Sequence, residues 1–115
     1  MRHRKKKKFG QGGKDHRRKL LRALASSVIL YERVETGYAN ARAVKPYVEK
    51  LITRAKDSSL HNRRHLLSKL SKNAAVKTLE VYGPKYADRP GGYLRMTKLT
   101  KPSAGKSRVV LEFVD

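Results

Sequence analysis

Two histidines stand four residues apart in His61-Asn62-Arg63-Arg64-His65, the spacing of a zinc-binding helix. The chemistry that spacing could serve is metal-assisted hydrolysis, and the neighbouring residues argue against it. The glutamate that would act as general base is missing, no third ligand is evident, and Arg63 and Arg64 would repel a divalent ion. The expectation is two polar histidines on an exposed or RNA-facing helix, with no metal and no other cofactor. No nucleophile–base set can be assembled either, because cysteine is absent and the nine acids are scattered. Gly91-Gly92 lacks the length and the following Lys-Ser/Thr of a phosphate-cradling loop, so it reads as a tight turn needing positive φ. Exposed glycine amides beside Arg89 and Arg95 could still meet a phosphate. Catalysis and a small-molecule substrate are not expected.

What the sequence does carry is cations. Arg2, His3, Arg4, Lys5, Lys6, Lys7 and Lys8 open the chain without an acid or an aliphatic side chain after Met1. Through Arg22 there are eleven Lys and Arg, Lys14, Arg17 and Arg18 among them, against the single acid Asp15. Arg63 and Arg64 form a further set. Arg89, Arg95, Lys98, Lys101, Lys106 and Arg108 form another, with no acid between them. The formal net charge is +20. An ordinary soluble surface intersperses both signs. Self-repulsion on this scale destabilises the free chain, and a bound polyanion relieves it. No helix reads as a dedicated major-groove reader, and neither a zinc finger nor a leucine zipper is present. The pattern fits a multi-sided clamp on folded RNA, recognised by shape and phosphate. A small nucleoid-type DNA-binding protein is the alternative.

At 115 residues, with 38% hydrophobic content, the chain is expected to form one domain with a modest core. The lack of cysteine favours an intracellular setting. No apolar stretch suits a signal peptide or a membrane span, so the chain reads as soluble, unprocessed and without a membrane partner.

These cations need elements to hold them. Residues 1–14, with Gly10, Gly12 and Gly13, read as an extended basic arm, and residues 15–115 as a single compact body. Asp15 is expected to cap a first helix whose apolar stripe is Leu20/Leu21, Leu24 and Val28, leaving Arg17, Arg18, Lys19 and Arg22 off the stripe. Tyr31–Thr36 shifts toward period two, a short strand ended by Gly37. A second helix is expected from Tyr38 to Lys56, either kinked at Pro46 or regular only from about Lys45. Ser58 or Ser59 would cap a third, Leu60 to Leu70, with Leu60, Leu66, Leu67 and Leu70 inward. Asn73 would cap a fourth, through Ala75, Val76, Leu79 and Tyr82, stopped by Gly83-Pro84. After the turn signal Asp88-Arg89-Pro90-Gly91-Gly92, the segments Tyr93–Leu99 and Arg108–Val114 form a hairpin. The expected fold class is α+β: about four helices on a small, mainly antiparallel three-stranded sheet.

Several of these segments, taken together and in order, resemble one family. They are Met1-Arg2-His3-Arg4-Lys5, His16-Arg17, Leu51-Ile52-Thr53-Arg54-Ala55-Lys56 and His61-Asn62-Arg63-Arg64. Tyr86-Ala87-Asp88-Arg89-Pro90-Gly91-Gly92-Tyr93 with Arg95 follows, and Leu111-Glu112-Phe113-Val114-Asp115 closes the set. The ordered set resembles the bacterial large-subunit ribosomal protein L-seventeen family. The resemblance implies a cytoplasmic, non-catalytic constituent of the large ribosomal subunit, near the polypeptide exit tunnel, bound to large-subunit ribosomal RNA and to neighbouring ribosomal proteins. By position it implies RNA contacts for Arg2, His3, Arg4, Lys5, His16 and Arg17, with Arg63, Arg64, Arg89 and Arg95 as further contacts. The chain departs from the family pattern in the arm, at Lys6–Gly13, and at Asn40-Ala41-Arg42-Ala43.

Overall fold

The computed structural model describes residues 13–99 and 108–115. The arm cations Arg2, His3, Arg4, Lys5, Lys6, Lys7 and Lys8, and the loop cations Lys101 and Lys106, lie outside the described residues.

Helix α1 spans Lys14–Tyr31. Asp15 does not cap it. Extended Gly13 occupies the N-cap position without a side-chain bond, and Asp15 sits inside the first turn, 3.7 Å from Arg18. A carboxylate there favours the helix through the partial positive charge of its first amides. Ala25, Val28 and Ile29, at i, i+3, i+4, are buried, with Leu21 and Leu24 packed at the edge of the core. Leu20 is exposed. Tyr31, expected in a strand, instead ends the helix, and Glu32 closes it at φ 67°, its N–H bonded to the Val28 carbonyl.

Strand β1 is Arg33–Gly37, and extended Gly37 leads directly into α2, Tyr38–Ala55. Helix α2 is assigned from Tyr38 onward, with Pro46 inside it on the exposed side. Its buried face is Ala41, Val44, Val48, Leu51, Ile52 and Ala55.

Helix α3, Leu60–Lys69, is capped by Ser59, whose Oγ accepts the Asn62 N–H at 3.3 Å. Leu66 and Leu70 are fully buried, but Leu60 is 63% and Leu67 45% exposed, against expectation. The pair at i, i+4 shares one face, and Leu67 is about 100° around the helix from Leu66. Helix α4, Lys72–Lys77, is capped by Ser71 rather than Asn73. Ser71 is itself positioned by its N–H, which donates to Ser26 Oγ of α1 at 2.9 Å. Val76, expected inward, is exposed, and the core side belongs to Ala74 and Ala75.

Gly83-Pro84 does not stop the helical path. A π-helical turn, Thr78–Tyr82, runs on into the short α5, Gly83–Lys85. Pro84 stands in the first turn of α5, where a missing N–H costs nothing. Gly83 answers to packing: a Cβ there would lie 2.7 Å from the Ala55 carbonyl oxygen at the end of α2.

Strands β2, Leu94–Lys98, and β3, Arg108–Phe113, complete an all-antiparallel sheet in the order β1-β3-β2. The consecutive buried run Val109-Val110-Leu111 marks β3 as the central strand. Helices packed on the sheet enclose a core that includes stacked Tyr82 and Phe113, with ring centroids 4.0 Å apart. The α+β expectation of four helices on a three-stranded antiparallel sheet is the fold found.

Candidate nucleic-acid interface

Eight of the 29 Lys and Arg fall outside the described residues, which leaves twenty-one against all nine acids. Where the acids sit decides which cations are available to a polyanion. The sheet carries a charge-balanced face. Glu112 on β3 lies between Arg33 on β1 and Arg95 on β2 in the cross-strand register, 3.6 Å from each guanidinium. Arg108 pairs with Glu35 at 3.5 Å. Arg95 and Arg108, both expected RNA contacts, thus already face carboxylates. Lys98 is exposed at the end of β2, its Nζ 5.6 Å from the Tyr38 ring centre, and Arg42 approaches the same ring at 5.7 Å.

The helical side differs. Helices α3 and α4 contain no acid of their own, although Lys77 at the end of α4 pairs with Glu32 at 2.8 Å. Arg63 and Arg64 are exposed on α3; Arg63 Nε donates to the Ser58 carbonyl at 3.1 Å. Arg64 makes no ion pair with the described residues. On α1, Lys14, His16, Arg18 and Lys19 are exposed and Arg17 half-buried, ahead of the first fully packed turn, with Asp15 as the local acid. This stretch stands clear of the core as a basic helical prow. Arg22 also braces the body, since its Nη2 donates to the Leu70 carbonyl at 2.8 Å, at the C-terminal end of α3.

The Gly91-Gly92 turn is a mixed case. Only Gly92 has positive φ, at 64°. Arg89 folds back, its Nε donating to the Gly91 carbonyl at 3.1 Å. Its own carbonyl accepts from Lys56 Nζ and from Tyr93 Oη. Arg89 borders an open cleft of about 520 Å³ that also holds Asp88 and Asp115, and two carboxylates disfavour an anion there. Arg89 and Arg95 are therefore weaker phosphate candidates than α1 and α3.

A cleft of about 370 Å³ between α1, α2 and α3 was not legible in the sequence. Leu21, Ala43 and Leu51 supply apolar lining, Pro46 and Tyr47 rigid rings, and Lys50, His65 and Lys69 the polar groups; no acid lines it. Tyr47 Oη donates to the Lys69 carbonyl at 2.8 Å, and burial holds the phenol above its ordinary pKa. His65 is held below the usual imidazole value by burial and by the charges of Arg54, Lys69 and His61. The i, i+4 step from Pro46 to Lys50 was the available signal, but nothing in it marks a cleft. Among the described residues, no three His, Cys, Asp or Glu gather in a way that could hold a metal ion, and no helix is long and apolar enough to cross a membrane.

Residues 20–114 match the family described as Ribosomal protein L17. The chain is 41% identical over 118 residues to the large ribosomal subunit protein bL17 of Hydrogenobaculum sp. (strain Y04AAS1), the match covering all of both chains. To the protein of that name from Salinibacter ruber it is 42% identical over 120 residues, covering 100% of this chain and 59% of the relative. To that from Acidobacterium capsulatum it is 46% identical over 84 residues, covering 72% of this chain and 52% of the relative. A family match over most of the chain and a relative matched end to end agree: the chain belongs to the ribosomal protein L17 family.

Proposed function

We propose that this protein is a cytoplasmic, non-enzymatic constituent of the bacterial large ribosomal subunit that binds large-subunit ribosomal RNA and abuts neighbouring ribosomal proteins. A seat near the polypeptide exit tunnel is what the family resemblance implies. The observation that carries the RNA reading is the uneven pairing of charge. Helix α3 holds Arg63, Arg64 and Lys69 without an ion pair among the described residues, and α1 opens with a basic helical prow against the single acid Asp15. By contrast, Arg33, Arg95 and Arg108 on the sheet and Lys77 at the end of α4 face carboxylates. Phosphates are attracted to cations that are not already committed, and each neutralised phosphate releases counterions.

In this reading the arm residues Arg2 to Lys8 and the prow of Lys14, His16, Arg17, Arg18 and Arg22 engage one RNA segment. Arg63 and Arg64 engage another. Lys98 meets RNA at the end of β2, with Arg89, Arg95 and Arg108 as lesser contacts; Lys101, outside the described residues, is a further contact in this reading. The body is then a wedge between RNA segments, holding them at a fixed distance.

The test is a competition between deproteinised large-subunit ribosomal RNA and duplex DNA of equal phosphate concentration, at several salt concentrations. Preference for the folded RNA that persists as salt rises supports the proposal. Equal affinity, or preference for duplex DNA, contradicts it and promotes a nucleoid-type role.

A further inference from the structure

We propose that the cleft between α1, α2 and α3 receives a single unstacked RNA nucleotide, its base against the apolar lining and its phosphate at the lysine rim. The inference rests on the RNA-binding reading above and adds to it a defined site and ligand class.

The cleft has two chemistries in one enclosure. Leu21, Ala43 and Leu51 offer carbon surface that water satisfies poorly, while Lys50 and Lys69 offer positive charge with no carboxylate among the lining residues. A ligand that satisfies both joins an anionic group to an apolar face, and a nucleotide does so with its phosphate and the π-face of its base. The volume, about 370 Å³, falls within the roughly 300–1,000 Å³ range of small-molecule sites.

Ring surfaces are present for stacking. Pro46, Tyr47 and His65 all line the cleft, and protein rings accept any base by its π-face. Tyr47 is held in place, since its hydroxyl bonds the Lys69 carbonyl, so the wall is pre-organised.

Location favours RNA over an acidic peptide. Arg17 and Arg18 lie one turn before Leu21 on α1, and Arg64 immediately precedes His65 on α3. An RNA strand running from the prow to α3 passes over the mouth of the cleft.

The full chain, bound to deproteinised large-subunit ribosomal RNA, would be irradiated with ultraviolet light and its cross-linked peptides identified by mass spectrometry. A nucleotide adduct on Tyr47 or His65 is expected. Ala43→Phe, which fills the cleft, should remove that adduct and weaken binding about tenfold, with the far-ultraviolet circular dichroism unchanged. Lys50→Glu, at an exposed position, provides a second variant. It should lower the adduct yield more than Lys85→Glu, an equal charge change in the cleft shared with Asp88 and Asp115. RNA bound with adducts only elsewhere, and with affinity indifferent to Ala43→Phe and Lys50→Glu, would overturn the inference alone and leave the cleft to a protein segment. Failure of the parent chain to bind the RNA would overturn the functional reading on which it rests.

Discussion

Tyr47 on α2 donates its hydroxyl to the carbonyl of Lys69 at 2.8 Å, and so closes the C-terminal end of α3 from a neighbouring helix. Arg22 on α1 does the same for Leu70. The last carbonyls of a helix have no partners of their own, and here two other helices provide them. Tyr47→Phe should cost about 1 kcal/mol, read as a lower urea midpoint with an unchanged slope. An unmoved midpoint would show that the bond contributes nothing. Arg22→Ala should lower the midpoint too, in the absence of RNA, because this arginine supports the body before it meets any ligand.

Gly83 separates two explanations by sign. Gly83 has helical backbone angles, φ −55° and ψ −55°, so with free space around its Cα Gly83→Ala would raise stability by up to about 1 kcal/mol. The structure instead places the new methyl 2.7 Å from the Ala55 carbonyl, so the contact between α2 and α5 must open. A loss of roughly 1–3 kcal/mol is expected, measured by thermal or denaturant unfolding.

His65 should titrate below the ordinary imidazole value of 6.5, because burial and then Arg54, Lys69 and His61 oppose its charged form. The folded pKa lies below the unfolded one, so the neutral form is the stabilising one. That contribution is complete above the unfolded pKa and is lost as pH falls through the folded pKa. Imidazole proton shifts followed by NMR from pH 5 to 8 give the value directly. Lys69→Ala should move the midpoint upward. A midpoint at or above 6.5 in the parent would contradict the described environment.

The pairing of charges predicts unequal arginines. Arg64→Ala should reduce the log–log salt slope of RNA binding by about 0.7–0.9, the share of one phosphate. Arg95→Ala should reduce it less, because its guanidinium already lies 3.6 Å from Glu112. Glu112→Gln should strengthen RNA binding by releasing Arg33 and Arg95 together. These pairs are exposed, so folding stability should change little. Equal slopes for Arg64→Ala and Arg95→Ala would show that pairing does not control availability.

Deleting residues 2–8 should leave the body folded. If the arm neutralises about four phosphates, the salt slope falls by roughly three units, and an unchanged slope would mark the arm as a tail without contacts.

Most of the fold was legible because its signals are local. The apolar stripe of α2 and the period-two segments around β2 and β3 each depend on neighbours a few positions away. Errors arose where one residue type serves two ends. Asp15 reads as a cap by chemistry, yet a carboxylate one position inside the helix also suits the first turn. Gly83-Pro84 reads as a stop, yet glycine also permits close helix approach and proline also begins helices. Leu60 and Leu67 read as core because leucine usually is, although their angular positions differ from that of Leu66. The cations were countable from the sequence, but their availability was not. That Glu112 sits between Arg33 and Arg95 depends on strand register, and that Lys50, His65 and Lys69 share a cleft with Leu21 depends on three helices meeting.

The central claim is assembly with the large ribosomal subunit, and sedimentation tests it most directly. Cell lysate would be fractionated on a sucrose gradient at moderate salt, and the protein followed across the fractions. Stoichiometric co-sedimentation with large subunits, surviving a moderate salt wash and nuclease removal of messenger RNA, is the predicted result. Recovery at the top of the gradient, or with chromosomal DNA, would contradict it.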